Sequence, residues 1–171
     1  MISCRLNWNG VGGLVAWLFA INVLIASAAP ISLHPARDLL ADAELSKTNH
    51  QPIVVLVSLP GCPHCELVRR SYLLPLPSES ASSGAPIIRQ IELKGENQMI
   101  DFAGKKITHA EFSRRFQVRL VPVVFFFGPN GKHLAEPLVG SMIPDFYGAY
   151  FDAALLKARA QLTHAQAKTS P

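Results

Sequence analysis

Cys62 and Cys65 stand two residues apart in the stretch Gly61-Cys62-Pro63-His64-Cys65. Two thiols at that spacing suit thiol-disulfide exchange. A bridge over so short a loop removes little chain entropy and does little to staple a fold, so the pair asks for a chemical explanation. A thiolate, not a thiol, attacks a disulfide, so one sulfur must be both acidic and accessible. The first turn of a helix meets both needs, because its unpaired N–H groups and positive dipole end favour a negative sulfur. Cys62 is therefore the expected attacking residue, and Cys65, one turn further in, the resolving one. Pro63 and His64 tune the pair, since whatever stabilises the thiolate stabilises the reduced form. An imidazole that donates to the Cys62 sulfur, or carries charge beside it, raises the reduction potential.

Other uses of the two cysteines fit less well. A structural zinc site needs four ligands, and neither a second Cys-x-x-Cys nor a closely spaced pair among His34, His50, His109, His133 and His164 supplies them. Haem attachment needs His directly after the second cysteine, where Glu66 stands. No metal or cofactor is expected beyond the redox-active Cys62-Cys65 disulfide itself.

The elements around the pair can be read from periodicity. Residues 35–49 carry Leu39, Leu40, Ala43 and Leu45 in a helical pattern, and residues 52–59 form an apolar, β-branched run that suits a doubly buried strand. That strand runs into the cysteines. Pro63 fits the first helical position, and the helix should continue to Leu74, where Pro75 stops it. Residues 75–86 form a Ser/Pro/Gly-rich loop, and residues 87–93 a second strand. After a polar stretch, Thr108 and Glu111 make a capping box for a short helix with Phe112 and Phe116 on one face. A third strand over residues 121–127 turns at Gly128-Pro129-Asn130-Gly131 into a fourth over residues 132–137, an antiparallel hairpin. A last helix opens at Pro144 with Phe146, Tyr150, Ala153 and Leu156 along one side, and frays beyond Thr163. The alternation predicts an α/β domain, a central mixed sheet with helices on both faces.

The chain has 171 residues, 49% of them hydrophobic, enough for one good core and short for two. Its formal charge of +4 is too small for a nucleic-acid footprint. At the N-terminus, Arg5 precedes an apolar run over residues 11–26 and the small-residue end Ala26-Ser27-Ala28-Ala29. This is the pattern of a secretory leader cleaved after Ala28, and the run is shorter than the roughly 20 residues of a spanning helix. The expected organisation is a leader over 1–28, a domain over 29–163 and a flexible tail over 164–171. Cys4 leaves with the leader, and the remaining pair enters a compartment where disulfides persist. An uncleaved N-terminal anchor, with the domain outside the cytoplasm, is the alternative.

On these residues the chain resembles the thioredoxin superfamily, and more closely the exported, periplasmic thioredoxin-like proteins of bacteria, including those associated with sulfur oxidation. The resemblance covers residues 52–156. It is carried by the Cys62-Pro63-His64-Cys65 stretch after a strand, Asp101-Phe102-Ala103-Gly104-Lys105, the helix and strand over 112–127, and Asn130-Gly131-Lys132. It implies a thioredoxin fold with four to five strands. It also implies that Pro122 follows a cis bond facing the cysteines, and that Val121 and Pro122 form a substrate-binding lip where the Val121 backbone pairs with an extended substrate. The Pro-His dipeptide is that of periplasmic disulfide oxidases, but the interval 66–121 is too short for their large helical insertion. Two departures stand out. Gly61 occupies a position where thioredoxins usually have Trp, and Leu56 one where they have a buried carboxylate that assists proton transfer.

The expected function is disulfide exchange by a monomer with exported thiol or disulfide proteins, and with a membrane electron donor or acceptor as a further partner class. Its direction is left open. A reductant dedicated to cytochrome maturation or sulfur oxidation is the second reading, and a redox-inert binding module the third. The intact cysteine pair speaks against the last.

Overall fold

The apolar run after Pro52 forms β1 (Ile53–Ser58), and all six of its residues are buried. Ile53, Val55 and Val57 point into one hydrophobic core and Val54 and Leu56 into another, as the two-residue period of a central strand requires. The computed structural model that shows this describes residues 32–77, 85–141 and 144–167. The expected leader with Cys4, the middle of the Ser/Pro/Gly-rich loop and the last four residues lie outside the described residues.

On one side β1 pairs in parallel with β2 (Ile87–Glu92), Ile53 opposite Ile87. On the other it pairs antiparallel with β5 (Val123–Phe127), Val57 opposite Val123, and β5 pairs with the edge strand β6 (Leu138–Val139). The central sheet is mixed, four-stranded and ordered β2-β1-β5-β6. α2 (Pro63–Val68) leads from β1 toward β2. The sequence predicts one helix as far as Leu74, but over Arg69–Leu73 the chain widens into a π-helical turn in which the Leu74 amide reaches the Arg69 carbonyl at 2.9 Å.

Between β2 and β5 the sequence reads as a polar stretch, yet a small antiparallel sheet lies there, β3 (Gln98–Ile100) with β4 (Lys106–Thr108). Asp101 closes its turn by accepting the amides of Ala103 at 2.9 Å and Lys105 at 2.8 Å. Strands of three residues are too short to show an alternation. The segment before α1 (Leu39–Asn49) joins the two sheets, Pro35 bridging to Gln90 and Asp38 to Ile100. Asp38 also caps α1 through the Ala41 amide at 2.8 Å. Thr108 caps α3 (His109–Arg115) through the Glu111 amide at 3.1 Å. Leu39, Ala43 and Phe112 bring α1 and α3 onto one face of the central sheet, while Val68, Tyr147 and Phe151 bring α2 and α4 (Pro144–Ala167) onto the other.

Three further expectations need correction. The fourth strand is not at residues 132–137, where only His133 makes an isolated bridge to Phe127; the ladder resumes at Leu138. Pro137 has no N–H to give a ladder, and Ala135 turns into the second core instead. On α4 the buried stripe is Tyr147, Phe151, Leu155, Ala158 and Leu162, not the adjacent one. Phe146 and Tyr150 are each 59% exposed and Leu156 68%. The two stripes are one residue out of phase and both carry large apolar side chains, so periodicity alone does not choose between them. Tertiary contacts do: Tyr147 packs on Tyr72 at 4.9 Å and Phe151 on Phe126 at 5.8 Å between ring centroids. The same helix runs past Thr163 to Ala167.

Candidate active site

β1 delivers the cysteines through the turn Leu59-Pro60-Gly61, in which the Cys62 amide donates to the Leu59 carbonyl at 3.4 Å. Gly61 has φ +69°, and a Cβ added there would touch nothing within 4 Å. Conformation, not space, therefore accounts for the glycine, and a bulky side chain at this position would be strained.

Cys62 is the N-cap residue of α2, with Pro63 in the first turn. Its backbone is extended (φ −83°, ψ 110°), its carbonyl accepts the Glu66 amide at 3.1 Å, and its sulfur accepts the Cys65 amide at 3.2 Å. The two residues form a disulfide with Cα atoms 5.3 Å apart. Cys62 is half-buried, whereas Cys65 has no solvent exposure. The pair is thus asymmetric, one sulfur within reach of a partner and the other shielded behind it.

Pro63 and His64 are exposed on the first turn. The His64 ring does not hang free: its Nδ1 lies 3.1 Å from the hydroxyl of Ser141, a residue 77 positions away and almost wholly buried. Ser141 follows β6. Its neighbour Gly140, at φ +76°, donates its amide to the Pro122 carbonyl at 2.8 Å. The Val121-Pro122 peptide bond is cis. Because Val57 pairs with Val123, the end of β1 and the start of β5 lie at the same edge of the sheet, and the cysteine turn and Val121-Pro122 both leave from there. Pro122 is buried, Val121 is half-buried, and no hydrogen bond engages the Val121 backbone among the described residues. The sequence singled out Cys62, Pro63, His64, Cys65, Val121 and Pro122 but not Ser141. A lone serine between a glycine and a proline-led helix carries no local signal that it meets His64.

Charge near the pair is arranged on α2 and the π-helical turn that follows it. The Arg69 guanidinium beside Glu66 holds that carboxyl below the usual carboxylate range, Arg70 assisting against the opposite effect of burial. Glu66 is therefore an ionised, engaged carboxylate and a weakened base. Leu56 is wholly buried in the second core. Ser58, at the end of β1, is buried too, and its hydroxyl finds no hydrogen-bond partner among the described residues. Among the described residues there is also no group of three or more His, Cys, Asp or Glu side chains able to hold a metal ion. No helix among them is long and apolar enough to cross a membrane.

A strand, a Cys-x-x-Cys disulfide at the start of the following helix and a mixed β2-β1-β5-β6 sheet define a thioredoxin-fold protein with a potential redox pair. Residues 40–155 match the family described as a thioredoxin-like domain, and the chain belongs to that family. Among solved structures it is similar to a thioredoxin-fold protein from Helicobacter pylori, at 14% identity and TM-score 0.40, over 74% of this chain and 96% of that one. It is similar to a DsbH oxidoreductase at 18% identity and TM-score 0.46, over 77% and 92% of the two chains. It is also similar to the C-terminal domain of Neisseria meningitidis DsbD in the oxidised form, at 18% identity and TM-score 0.43, over 70% and 98%. A search of curated proteins finds no match.

Proposed function

We propose that this chain is an exported thiol-disulfide oxidoreductase that exchanges disulfides with protein partners through Cys62 and Cys65. The observation that carries the reading is the asymmetry of the pair: a half-buried sulfur at a helix start, receiving the Cys65 amide at 3.2 Å, bonded to a sulfur with no exposure. In the reducing direction, the Cys62 thiolate attacks one sulfur of a partner disulfide, forming a mixed disulfide and releasing the partner's other sulfur as a thiolate. Cys65 then loses its proton and attacks the Cys62 sulfur, which expels the partner's second thiolate. The pair has then given up two electrons and re-formed its own disulfide. In the oxidising direction each step runs backwards. In both, Cys62 is the sulfur shared with the partner, and the N–H groups of the first turn offset its charge.

Pro63 and His64 tune the poise in this reading, and Val121 and Pro122 form the lip where an extended partner segment lies. That no hydrogen bond engages the Val121 backbone among the described residues supports that role. Export is inferred from Arg5, the apolar run over residues 11–26 and the Ala26-Ser27-Ala28 end, and a sulfur-oxidation association from the sequence resemblance. The dipeptide favours an oxidant. One observation favours the second reading, a dedicated reductant: between α2 with its π-helical turn and β5, the described residues hold only β2, the β3-β4 hairpin and α3, with no helical insertion.

Equilibration of the protein with glutathione tests the proposal. A potential near about −120 mV identifies an oxidant and one near about −270 mV a thioredoxin-like reductant. Cys62→Ala should abolish exchange and Cys65→Ala should accumulate mixed disulfides. Undiminished exchange by Cys62→Ala would rule the mechanism out.

A further inference from the structure

The His64 imidazole has an exposed position on the first turn of α2, where nothing about packing obliges it to be held. It is held nonetheless, by the hydroxyl of a serine that is itself 3% exposed. A buried hydroxyl is expensive to leave unpaired, and the described contacts of the Ser141 hydroxyl go to this ring alone. The residue before it anchors the Pro122 carbonyl. The two-residue segment Gly140-Ser141 thus grips the Cys-x-x-Cys turn with one hand and the cis-proline loop with the other.

Building on the exchange function proposed above, we propose that Ser141 is a positioning residue for it, acting through His64. The Ser141 Oγ–H donates to Nδ1, which leaves the ring proton on Nε2. A hydrogen bond at one ring nitrogen selects what the other can do, and here it makes Nε2–H a fixed donor on the first turn. When the Cys62 thiolate attacks a partner disulfide, or is expelled from the mixed disulfide as that partner disulfide re-forms, the sulfur at position 62 loses or gains negative charge. A donor already oriented stabilises that charge without reorganising and without giving up its proton. A ring free to rotate spends part of its time facing solvent and does so less. Ser141 therefore shifts the pair toward the reduced form and raises its potential, although it touches neither sulfur in any described contact. The same segment sets the spacing between ring and partner-binding lip, so both follow one anchor.

The test is a glutathione equilibration of the full chain with wild type, Ser141→Ala, Ser141→Thr, His64→Ala and the Ser141→Ala/His64→Ala double variant. Ser141→Ala should move the equilibrium toward the disulfide by about three- to tenfold, a drop of about 15 to 30 mV for a two-electron couple. Ser141→Thr, which keeps the hydroxyl, should restore most of the shift. In the His64→Ala background the second substitution should change the constant by less than about 1.5-fold, because coupled residues are not additive. An equal shift in both backgrounds, or none in the wild-type background, would overturn the inference while leaving the exchange function intact. Failure of the wild type to exchange with glutathione would overturn that function and this inference with it. A measurement on the wild type alone covers the case in which Ser141→Ala does not fold: nitrogen NMR of His64 should report the Nε2–H tautomer, and an Nδ1–H ring would refute the arrangement.

Discussion

The backbone amide of Cys65 donates to the sulfur of Cys62 at 3.2 Å, while the Cys65 side chain has no exposure to solvent. One residue therefore supplies both a donor to the Cys62 sulfur and, in the exchange proposed above, the sulfur that resolves the mixed disulfide. In the reduced protein the two thiols should differ in reactivity, since alkylation requires both thiolate character and access. Limiting iodoacetamide at neutral pH is expected to modify Cys62 at least about tenfold faster than Cys65. Peptide mass spectrometry after short exposure reads the ratio. Equal labelling would contradict the assignment of roles.

His109 locks three segments together. The Glu92 amide donates to its Nδ1 at 3.2 Å, and its Nε2 lies 2.9 Å from the Ala36 carbonyl. An amide can donate only to an unprotonated ring nitrogen, so the ring proton sits on Nε2 and goes to Ala36. His109 and Ala36 are each 1% exposed, so the Ala36 carbonyl has little access to water as a replacement partner. His109→Leu should leave both unpaired and destabilise the fold by about 2 to 4 kcal/mol. Urea unfolding measures this, and faster hydrogen exchange at the Glu92 amide would localise the damage. A loss below about 0.5 kcal/mol would show that the two bonds do not matter.

What could be read from residues alone, and what could not, follows from the range of the signals. β1, the cysteine turn and the start of α2 are announced locally, by β-branched residues, by Pro63 and by the pair itself. Asp101-Phe102-Ala103-Gly104-Lys105 stands out as a stretch, yet the hairpin it closes is hidden because each strand has three residues. The buried face of α4 depends on where Tyr72 and Phe126 lie, which no pattern within the helix contains. Ser141 is the sharpest case. Its meaning rests on a contact across 77 residues, set by β6 returning along β5. Gly61 is legible as a departure from the thioredoxin pattern, but its reason, a positive φ in an open space, is visible only in the backbone.

Asp101 makes the fold sensitive to acid. Burial by itself would push its carboxyl up, but the Lys105 and Ala103 amides and the Arg115 guanidinium outweigh it and hold the group below its usual range. A carboxyl with a depressed folded value contributes stability above the unfolded value of about 3.9, and that contribution is lost as pH falls through the folded value. Asp101→Asn keeps an acceptor for the turn amides and loses the charge facing Arg115. It should be less stable than wild type by about 1 kcal/mol at neutral pH. The gap should narrow as pH falls below the unfolded value of about 3.9 and the wild-type carboxyl protonates. Thermal unfolding of both proteins from pH 7 to pH 2.5 checks it, and a constant gap would show that the carboxylate's charge is not what the turn uses.

Tyr147 gives the opposite limit. Its ring belongs to the second core, but its hydroxyl is buried with no hydrogen-bond partner among the described residues. Burial, with a smaller contribution from Tyr72, pushes the phenol well above its usual value. The unfolded chain releases that proton near pH 10, whereas the folded chain retains it. Above pH 10 the native state therefore binds more protons than the unfolded one, and stability falls as pH rises. Tyr147→Phe keeps the ring against Tyr72 and removes both the unpaired hydroxyl and the ionisation. At neutral pH it should be neutral or stabilising by up to about 1 kcal/mol, because an unsatisfied buried donor is lost at little cost in packing. Above about pH 10 its advantage should grow by as much as about 1.4 kcal/mol per pH unit, until the folded phenol itself ionises. Urea midpoints at pH 8, 10 and 11 give the comparison. A Phe variant less stable than wild type at pH 8 would mean that the hydroxyl has a partner worth keeping, and an advantage that fails to widen by pH 11 would mean that the folded phenol ionises as readily as the unfolded one.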